Sequence, residues 1–212
     1  MRPAVFAALL LLPAFHAFAQ ATPEPAQGLR IPNGSRPWAL DQVNAKPELV
    51  PLHSSAVQTN NHRGGNVVGG LFAGPLYKAR FTTELDGPSA KTAIHSSSPV
   101  FYLHIDSDPD GTAQTLQIGW AIVYVVADKN HRLLSTVKFT QFTGTAKRND
   151  AQIDVSTETL PDGWLRIVPK LPLAPGEYAL EPVFKQESAF SALVYDFRIA
   201  PDAPSDPDVI TR

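Results

Sequence analysis

Hydrophobic and polar side chains alternate along much of the chain with a period of two residues, which is the pattern of half-buried β-strands. In residues 77–85, for example, Phe81 and Leu85 fall on one side of the segment, while Lys78 and Arg80 fall on the other. Glycine, proline and aspartate recur between such segments and mark turns. The pattern predicts further strands at residues 101–105, 116–127, 133–139, 152–157, 164–169, 178–184 and 192–199.

The segment at residues 116–127 differs from the others because both of its faces avoid charge. Trp120 and Ile122 lie on one face, and Val123 and Val125 lie on the other. A strand that is apolar on both faces is typical of a position covered by other elements on both sides. We therefore expect this strand to be central in the fold.

The fold class follows from the number and spacing of these strands. No stretch of the sequence combines a helical period with helix caps, and turn signals separate the strands at short intervals. Such a chain forms an antiparallel sandwich or barrel. The sequence therefore predicts an all-β protein.

One local motif narrows the fold further. Residues 173–178 read Leu-Ala-Pro-Gly-Glu-Tyr and connect two predicted strands. They resemble the tyrosine corner of immunoglobulin-like and fibronectin type III-like sandwiches, in which Pro175 and Gly176 would shape the corner and the Tyr178 hydroxyl would bond to upstream backbone. The resemblance implies an antiparallel immunoglobulin-like sandwich of about 7–9 strands over residues 76–199, with Trp120 buried on a core strand. A plain Pro-Gly hairpin corner is the alternative.

The N-terminus has the three parts of a secretory signal. Arg2 supplies the positive end, residues 4–12 are apolar, and Ala17-Phe18-Ala19 forms a small-x-small cleavage site. We expect residues 1–19 to be removed before Gln20 and the product to be periplasmic or extracellular. A retained anchor is the weaker alternative, because the apolar stretch is shorter than the roughly 20 residues of a membrane-spanning helix.

Composition divides the rest of the chain. Residues 20–37 are rich in proline and alanine and predict a flexible lead-in, and residues 200–212 predict a disordered tail. Residues 38–75 form an N-terminal extension that we expect to pack on the sandwich. Its apolar side chains, which would cover the second face of the central strand, are Val67, Val68, Leu71 and Phe72.

Charge and cysteine content limit the partners and the means of stabilisation. The net charge is −2 at pH 7, so a nucleic-acid partner is not expected, and no later stretch predicts membrane insertion after signal cleavage. The chain contains no cysteine, which excludes the disulfide of antibody domains. An exported fold without disulfides has to be stabilised by its own core.

The loop at residues 106–111 is the strongest chemical signal in the sequence. Asp106, Asp108 and Asp110 alternate and Gly111 follows, which resembles the start of a calcium loop. The resemblance ends at the twelfth position, where Gln117 replaces the bidentate glutamate. An ordinary exposed hairpin loop is the alternative, and no other cofactor is predicted.

Catalytic signatures are absent from the sequence. It contains no Gly-x-Ser-x-Gly elbow and no His-Glu-x-x-His motif, and of its histidines only His104 has an acid, Asp106, at strand spacing. The sequence therefore favours an exported, non-catalytic module of the bacterial cell envelope or exterior that binds a protein or glycan or acts structurally. The alternative is a secreted hydrolase whose catalytic residues are scattered over loops.

Overall fold

A computed structural model of the chain describes residues 22–34, 36–62, 78–105, 117–140, 145–185 and 189–211. These residues form fourteen β-strands, one short 3-10 turn at Pro161–Gly163 and no α-helix. In chain order the strands are β1 (Trp38–Val43), β2 (Lys46–Pro51), β3 (His53–Asn60), β4 (Lys78–Asp86), β5 (Thr92–Ile94), β6 (Val100–His104), β7 (Gln117–Asp128), β8 (His131–Thr140), β9 (Thr145–Asn149), β10 (Ala151–Ile153), β11 (Val155–Thr159), β12 (Trp164–Pro169), β13 (Gly176–Phe184) and β14 (Leu193–Ile199).

The strands are divided between two sheets. A five-stranded antiparallel sheet has the order β11-β12-β6-β1-β2. The other sheet runs β10-β7-β13-β14-β3-β4-β8-β9, and β5 lies parallel to β14 beside it. Because β7 also pairs with β8, six of these strands close into a barrel. The barrel consists of β7, β13, β14, β3, β4 and β8.

The main core lies between the five-stranded sheet and one side of the barrel. Phe101 and Ile167 from the sheet meet Ile122 and Phe197 from the barrel, and all four are fully buried. The rings of Phe101 and Phe197 lie 4.9 Å apart between centroids. Alternation along each strand produces this contact, because every second side chain points to the same face.

The barrel interior is a second, smaller core with polar groups at both ends. Its apolar part includes Val123 on β7 and Ala179 on β13. On β13, Glu177 and Glu181 lie on the same face as Ala179, on either side of it. Arg132 and Asp196 are also buried here. The remaining buried apolar side chains of this core are Leu85, Val125, Leu134 and Val194.

The outer face of the five-stranded sheet is covered by the two ends of the described chain. Leu29 and Ile31 are each 1% exposed and pack on Trp38 and Trp164. From the other end, Ile210 pairs with Leu49 of β2. Parts of the expected lead-in (residues 20–37) and tail (residues 200–212) thus pack on the sheet, and the flexibility expected for these two segments stays a prediction. Extended chain without regular hydrogen bonding packs here on an apolar sheet face.

The all-β, antiparallel prediction is confirmed, and the closed barrel is a feature that the sequence pattern did not reveal. The narrower prediction of an immunoglobulin-like sandwich stays a prediction. Residues 38–60, expected as part of an extension packed on the domain, instead supply β1 and β2 to one sheet and β3 to the barrel. The apolar cover expected from residues 67–72 lies outside the described residues.

Candidate functional site

A cleft of about 340 Å³ opens where the chain passes from the five-stranded sheet into the barrel. Leu52, between β2 and β3, is the crossing point. The cleft combines two cations, the hydroxyl of Ser54, an imidazole and a phenol, while the hydroxyl of Ser55 donates to Asp196 inside the barrel. Its lining residues are Arg36, Leu52, His53, Ser54, Ser55, Lys91 and Tyr195.

The strands hold two ring side chains of this cleft in place. Ser54 on β3 lies directly opposite Tyr195 on β14. The ring of Tyr195 packs against that of Trp120 on β7, with centroids 6.4 Å apart. His53 is fixed by a 3.1 Å hydrogen bond between its Nδ1 and the hydroxyl of Thr92. The ring positions of the cleft are therefore set by the barrel wall and by β5.

The cleft is locally positive on a chain whose net charge is −2. Arg36 and Lys91 are exposed, and the seven lining residues include no acid. Within the described ranges neither cation forms an ion pair. A guanidinium and an ammonium beside hydroxyl groups provide charge-assisted donors for a carboxylate or another anionic group.

A second polar cluster is buried between the two layers. Asp41 on β1 is fully buried and holds the chain after β5. Its Oδ1 accepts the backbone N–H groups of Gln42 and Ser96, at 2.8 and 2.7 Å. Its Oδ2 accepts the backbone N–H of His95 at 2.8 Å and lies 2.7 Å from Nδ1 of the same histidine. All of the hydrogen-bonding capacity of this carboxylate is therefore used.

His95 connects this cluster to the C-terminal segment. Its Nε2 lies 2.9 Å from the carbonyl oxygen of Ala203, which only accepts, so Nε2 carries a hydrogen. Burial lowers the pKa of His95, but the hydrogen bonds to Asp41 and Ala203 and the negative charges of Asp41 and Glu48 outweigh it. The pKa of His95 is consequently raised above its usual value.

Glu48 completes the cluster from β2, where it is the direct cross-strand partner of Asp41. It is 5% exposed, and its Oε1 lies 3.9 Å from Nδ1 of His95. Among the described residues this oxygen has no hydrogen-bond partner. Burial, together with the charges of Asp41 and Asp206, raises the pKa of Glu48 despite the opposing effect of His95. One atom of each of the three side chains lies within 4.8 Å of the others.

A third group of charges, inside the barrel, is fully paired. Arg132 on β8 contacts Asp196 at 2.6 Å and Glu177 at 3.4 Å. Ser55 donates a hydrogen bond to Asp196, and Ser89 donates one to Glu177. With every carboxylate satisfied by donors from neighbouring strands and loops, this network has the features of structural bracing.

The residues predicted as the calcium loop, Asp106, Asp108 and Asp110 with Gly111, lie outside the described residues. Trp120 lies on β7 and is half-buried rather than enclosed.

In the predicted corner motif, Pro175 and Gly176 precede Tyr178 at the start of β13. The Tyr178 hydroxyl donates a 2.8 Å hydrogen bond to the carbonyl oxygen of Ala174. Burial and the neighbouring Tyr124 raise the pKa of Tyr178, and the bond to Ala174 partly opposes this.

Among the described residues, a histidine, a hydroxyl and a carboxylate come together at His62, Thr82 and Glu84. Their hydrogen bonds do not have the order of a catalytic triad, in which the histidine lies between the other two groups. His62 Nε2 lies 2.9 Å from the hydroxyl of Thr82, and that hydroxyl donates its hydrogen to Glu84. Thr82 is 2% exposed, so a substrate has no access to its oxygen. His104, the histidine singled out by sequence spacing, has its Nε2 2.9 Å from the carbonyl of Asp162.

The buried cluster escaped sequence analysis because its members are far apart in the chain. The available signal was the turn at Asn44 and Ala45, which both have positive φ, at 51° and 61°. A two-residue turn of this type fixes the hairpin register and pairs position 41 with position 48. Nothing in the local sequence links His95 to that hairpin.

Comparisons with known protein families, with curated proteins and with solved structures found no match to this chain. Among the described residues, no helix has the length and apolar character needed to cross a membrane.

Proposed function

We propose that this chain is an exported, non-catalytic binding module of the bacterial cell envelope or exterior whose ligand is an acidic glycan. The observation that carries the proposal is the cationic cleft of Arg36 and Lys91, with Ser54 and Tyr195 beside them. The N-terminal signal pattern supports export to the periplasm or beyond.

The composition of the cleft matches the chemistry of an acidic sugar. Arg36 and Lys91 complement a carboxylate, while the hydroxyl of Ser54 complements a sugar hydroxyl. The ring of Tyr195 offers an apolar surface for the C–H face of a sugar, with a polar hydroxyl at its edge. A volume of about 340 Å³ lies at the small end of the range for ligand sites, roughly 300–1,000 Å³. The cleft would thus hold one end or one unit of a longer polymer.

A binding module agrees better with the described residues than the hydrolase alternative does. Cleavage of a glycosidic bond ordinarily needs two carboxyl groups flanking the bond, and the lining of the cleft contains none. The fold is part of the same proposal: the bond from Tyr178 to Ala174 supports an immunoglobulin-like ancestry, extended here by a closed barrel.

Isothermal titration calorimetry with polygalacturonic acid, and with neutral dextran as the control polymer, tests the function. We expect the chain to bind the polyuronate and to bind it more weakly as salt is added. Dextran should give no binding heat. Replacement of either cation, by Arg36→Ala or Lys91→Ala, should raise Kd about 10- to 100-fold, since a charge-assisted hydrogen bond contributes roughly 1.5–3 kcal/mol.

Lys138→Ala is the matched control, because Lys138 is an exposed lysine on β8 outside the cleft. Its Kd should equal that of the wild type. If the Arg36→Ala and Lys91→Ala variants bind the polyuronate as tightly as the wild type does, or if the wild type binds dextran as tightly as the polyuronate, the ligand site lies elsewhere.

A further inference from the structure

Two buried acids face each other across the β1–β2 hairpin. Asp41 and Glu48 are direct cross-strand partners on the barrel-facing side of the sheet, and they are 0% and 5% exposed. Like charges directly opposite each other destabilise a sheet, and burial strengthens the effect because water cannot screen it. A positive charge nearby relieves this repulsion: protonated His95 is one such charge, and a bound cation would be another. This repulsion is independent of the glycan cleft.

The unpaired oxygen of Glu48 indicates where a bound cation would lie. Asp41 already accepts backbone hydrogen bonds on both of its oxygens. Glu48 Oε1, by contrast, is buried and has no hydrogen-bond partner among the described residues. It lies 3.9 Å from Nδ1 of His95, on the side of the cluster where the three groups converge. A buried acceptor without a partner is costly, so an occupant of this space gains by satisfying it.

His95 has the hydrogen-bond arrangement of a metal ligand. A metal-bound histidine usually donates its other ring N–H to a carboxylate or a backbone carbonyl, which fixes the tautomer and the ring orientation. Nε2 of His95 does this to the carbonyl oxygen of Ala203 at 2.9 Å. Nδ1 is then the nitrogen that faces Asp41 and Glu48.

The spacing of the three groups is close to that of a zinc site. Ligand atoms around a tetrahedral zinc, each about 2.0–2.1 Å from the ion, lie roughly 3.3 Å apart. The distances from His95 Nδ1 are 2.7 Å to Asp41 Oδ2 and 3.9 Å to Glu48 Oε1, each about 0.6 Å from the tetrahedral value, and all three ligand atoms lie within 4.8 Å of one another. A nitrogen ligand favours zinc over calcium or magnesium, which prefer oxygen.

We propose that Asp41, Glu48 and His95 form a zinc site, with one oxygen from each acid and Nδ1 of His95 as ligands, in which the ion replaces the proton that Nδ1 shares with Asp41 Oδ2 and releases it to solvent. Glu48, one of the three proposed ligands, also lines a cleft of about 700 Å³ beside the β1–β2 turn. The bound ion connects the hairpin to the segment after β5 and, through Ala203, to the C-terminal segment. Its role is to join these three parts of the fold.

The test uses the purified chain without a polyhistidine tag, stripped of metal with a chelator and titrated with zinc chloride by calorimetry. We expect one zinc per chain and a higher melting temperature in the presence of zinc. Cobalt in place of zinc should give the visible absorption of a low-symmetry site with a nitrogen ligand. If zinc gives the wild-type protein neither binding heat nor a higher melting temperature, the proposal is overturned without any need for the variants.

Glu48→Gln keeps the size of the side chain and removes the ligand charge. Loss of an outer-shell partner typically weakens metal binding about 10–100-fold, so loss of this direct ligand should weaken zinc binding by at least about 100-fold. Glu181→Gln is the matched control, since Glu181 is another buried glutamate with an unpartnered oxygen, inside the barrel. Its zinc affinity should equal that of the wild type. Zinc affinity that is unchanged in a cooperatively folded Glu48→Gln variant would also overturn the assignment.

Discussion

Tyr178 joins the core to the turn that precedes its strand. Its ring stacks on Phe197 with centroids 5.6 Å apart, and its hydroxyl donates to the carbonyl oxygen of Ala174. Tyr178→Phe keeps the ring and removes the hydrogen bond. We expect a loss of about 0.5–1.5 kcal/mol in the free energy of unfolding, the usual net value of one such bond. Urea denaturation followed by tryptophan fluorescence measures it.

Tyr124→Phe is the control for this substitution. Tyr124 contacts the Tyr178 ring edge to face at 5.4 Å and is 40% exposed, so its hydroxyl has access to water. Its removal should change the stability by less than about 0.5 kcal/mol. If the two variants lose the same amount, the Ala174 bond makes no specific contribution.

Arg132 connects four parts of the barrel. From β8 it reaches Asp196 on β14 and Glu177 on β13, and its guanidinium also donates to the carbonyl oxygens of Asp86 and Gly87. Arg132→Met keeps an apolar stem but leaves the buried carboxylate of Asp196 and the partly buried one of Glu177 without their cation. Removing one partner of a buried pair typically costs about 3–5 kcal/mol, and we expect a loss of that size in urea denaturation.

Arg166 offers the matched comparison on β12. Its ion pair with Glu158 spans 3.4 Å and is exposed, with 39% and 58% of the two side chains accessible. Arg166→Met should cost less than about 1 kcal/mol, because water screens an exposed pair. A loss from Arg132→Met as small as that from Arg166→Met would show that the carboxylates inside the barrel find other partners.

The strands that the sequence predicted are those that follow the ordinary rule of apolar inside and polar outside. β12 and β13 were placed almost to the residue, because their apolar positions alternate and turns flank them. β1 and β2 were missed because each breaks this rule at one position, with Asp41 and Glu48 buried. Pro47 and Pro51 obscure β2 further, since proline argues against a strand.

The candidate site was harder to predict than the fold, because it depends on contacts between distant segments. The cationic cleft brings Arg36 and Lys91 together with Tyr195 only after the chain has crossed between two sheets. Local pattern carries no information on that crossing. The motifs visible in the sequence, such as the aspartates at 106, 108 and 110, are by nature confined to one loop.

At the scale of the whole molecule, both ends of the described chain contribute to stability. Composition rich in proline and alanine predicts a flexible lead-in at residues 20–37, but it does not indicate that Leu29 and Ile31 are buried. Leu29 and Ile31 are buried because the sheet has an apolar outer face around Trp38 and Trp164, which two short segments cover. The local sequence of the segments does not reveal that face. In a cysteine-free chain, such coverage enlarges the buried surface without a covalent link.

The pH dependence of global stability reports on a buried acid inside the barrel. Burial, helped by Asp150, raises the pKa of Glu181 above 4.5, although Arg148 opposes the shift. The folded protein therefore holds this proton more tightly than the unfolded chain does. Its contribution to stability is complete below the unfolded pKa and is lost as the pH rises towards the folded pKa.

Glu181→Gln removes this titration while keeping the shape of a protonated glutamate. Urea-unfolding free energies measured between about pH 4 and pH 8 should fall with pH more steeply in the wild type than in the variant, because only the wild type pays for ionising a buried carboxyl. The free energy of unfolding of the variant therefore rises relative to that of the wild type as the pH rises. Glu158→Gln, on the exposed strand β11, should leave the wild-type slope unchanged. Parallel curves for the wild type and Glu181→Gln would mean that Arg148 keeps the carboxylate ionised throughout, and that the barrel interior holds a true ion pair.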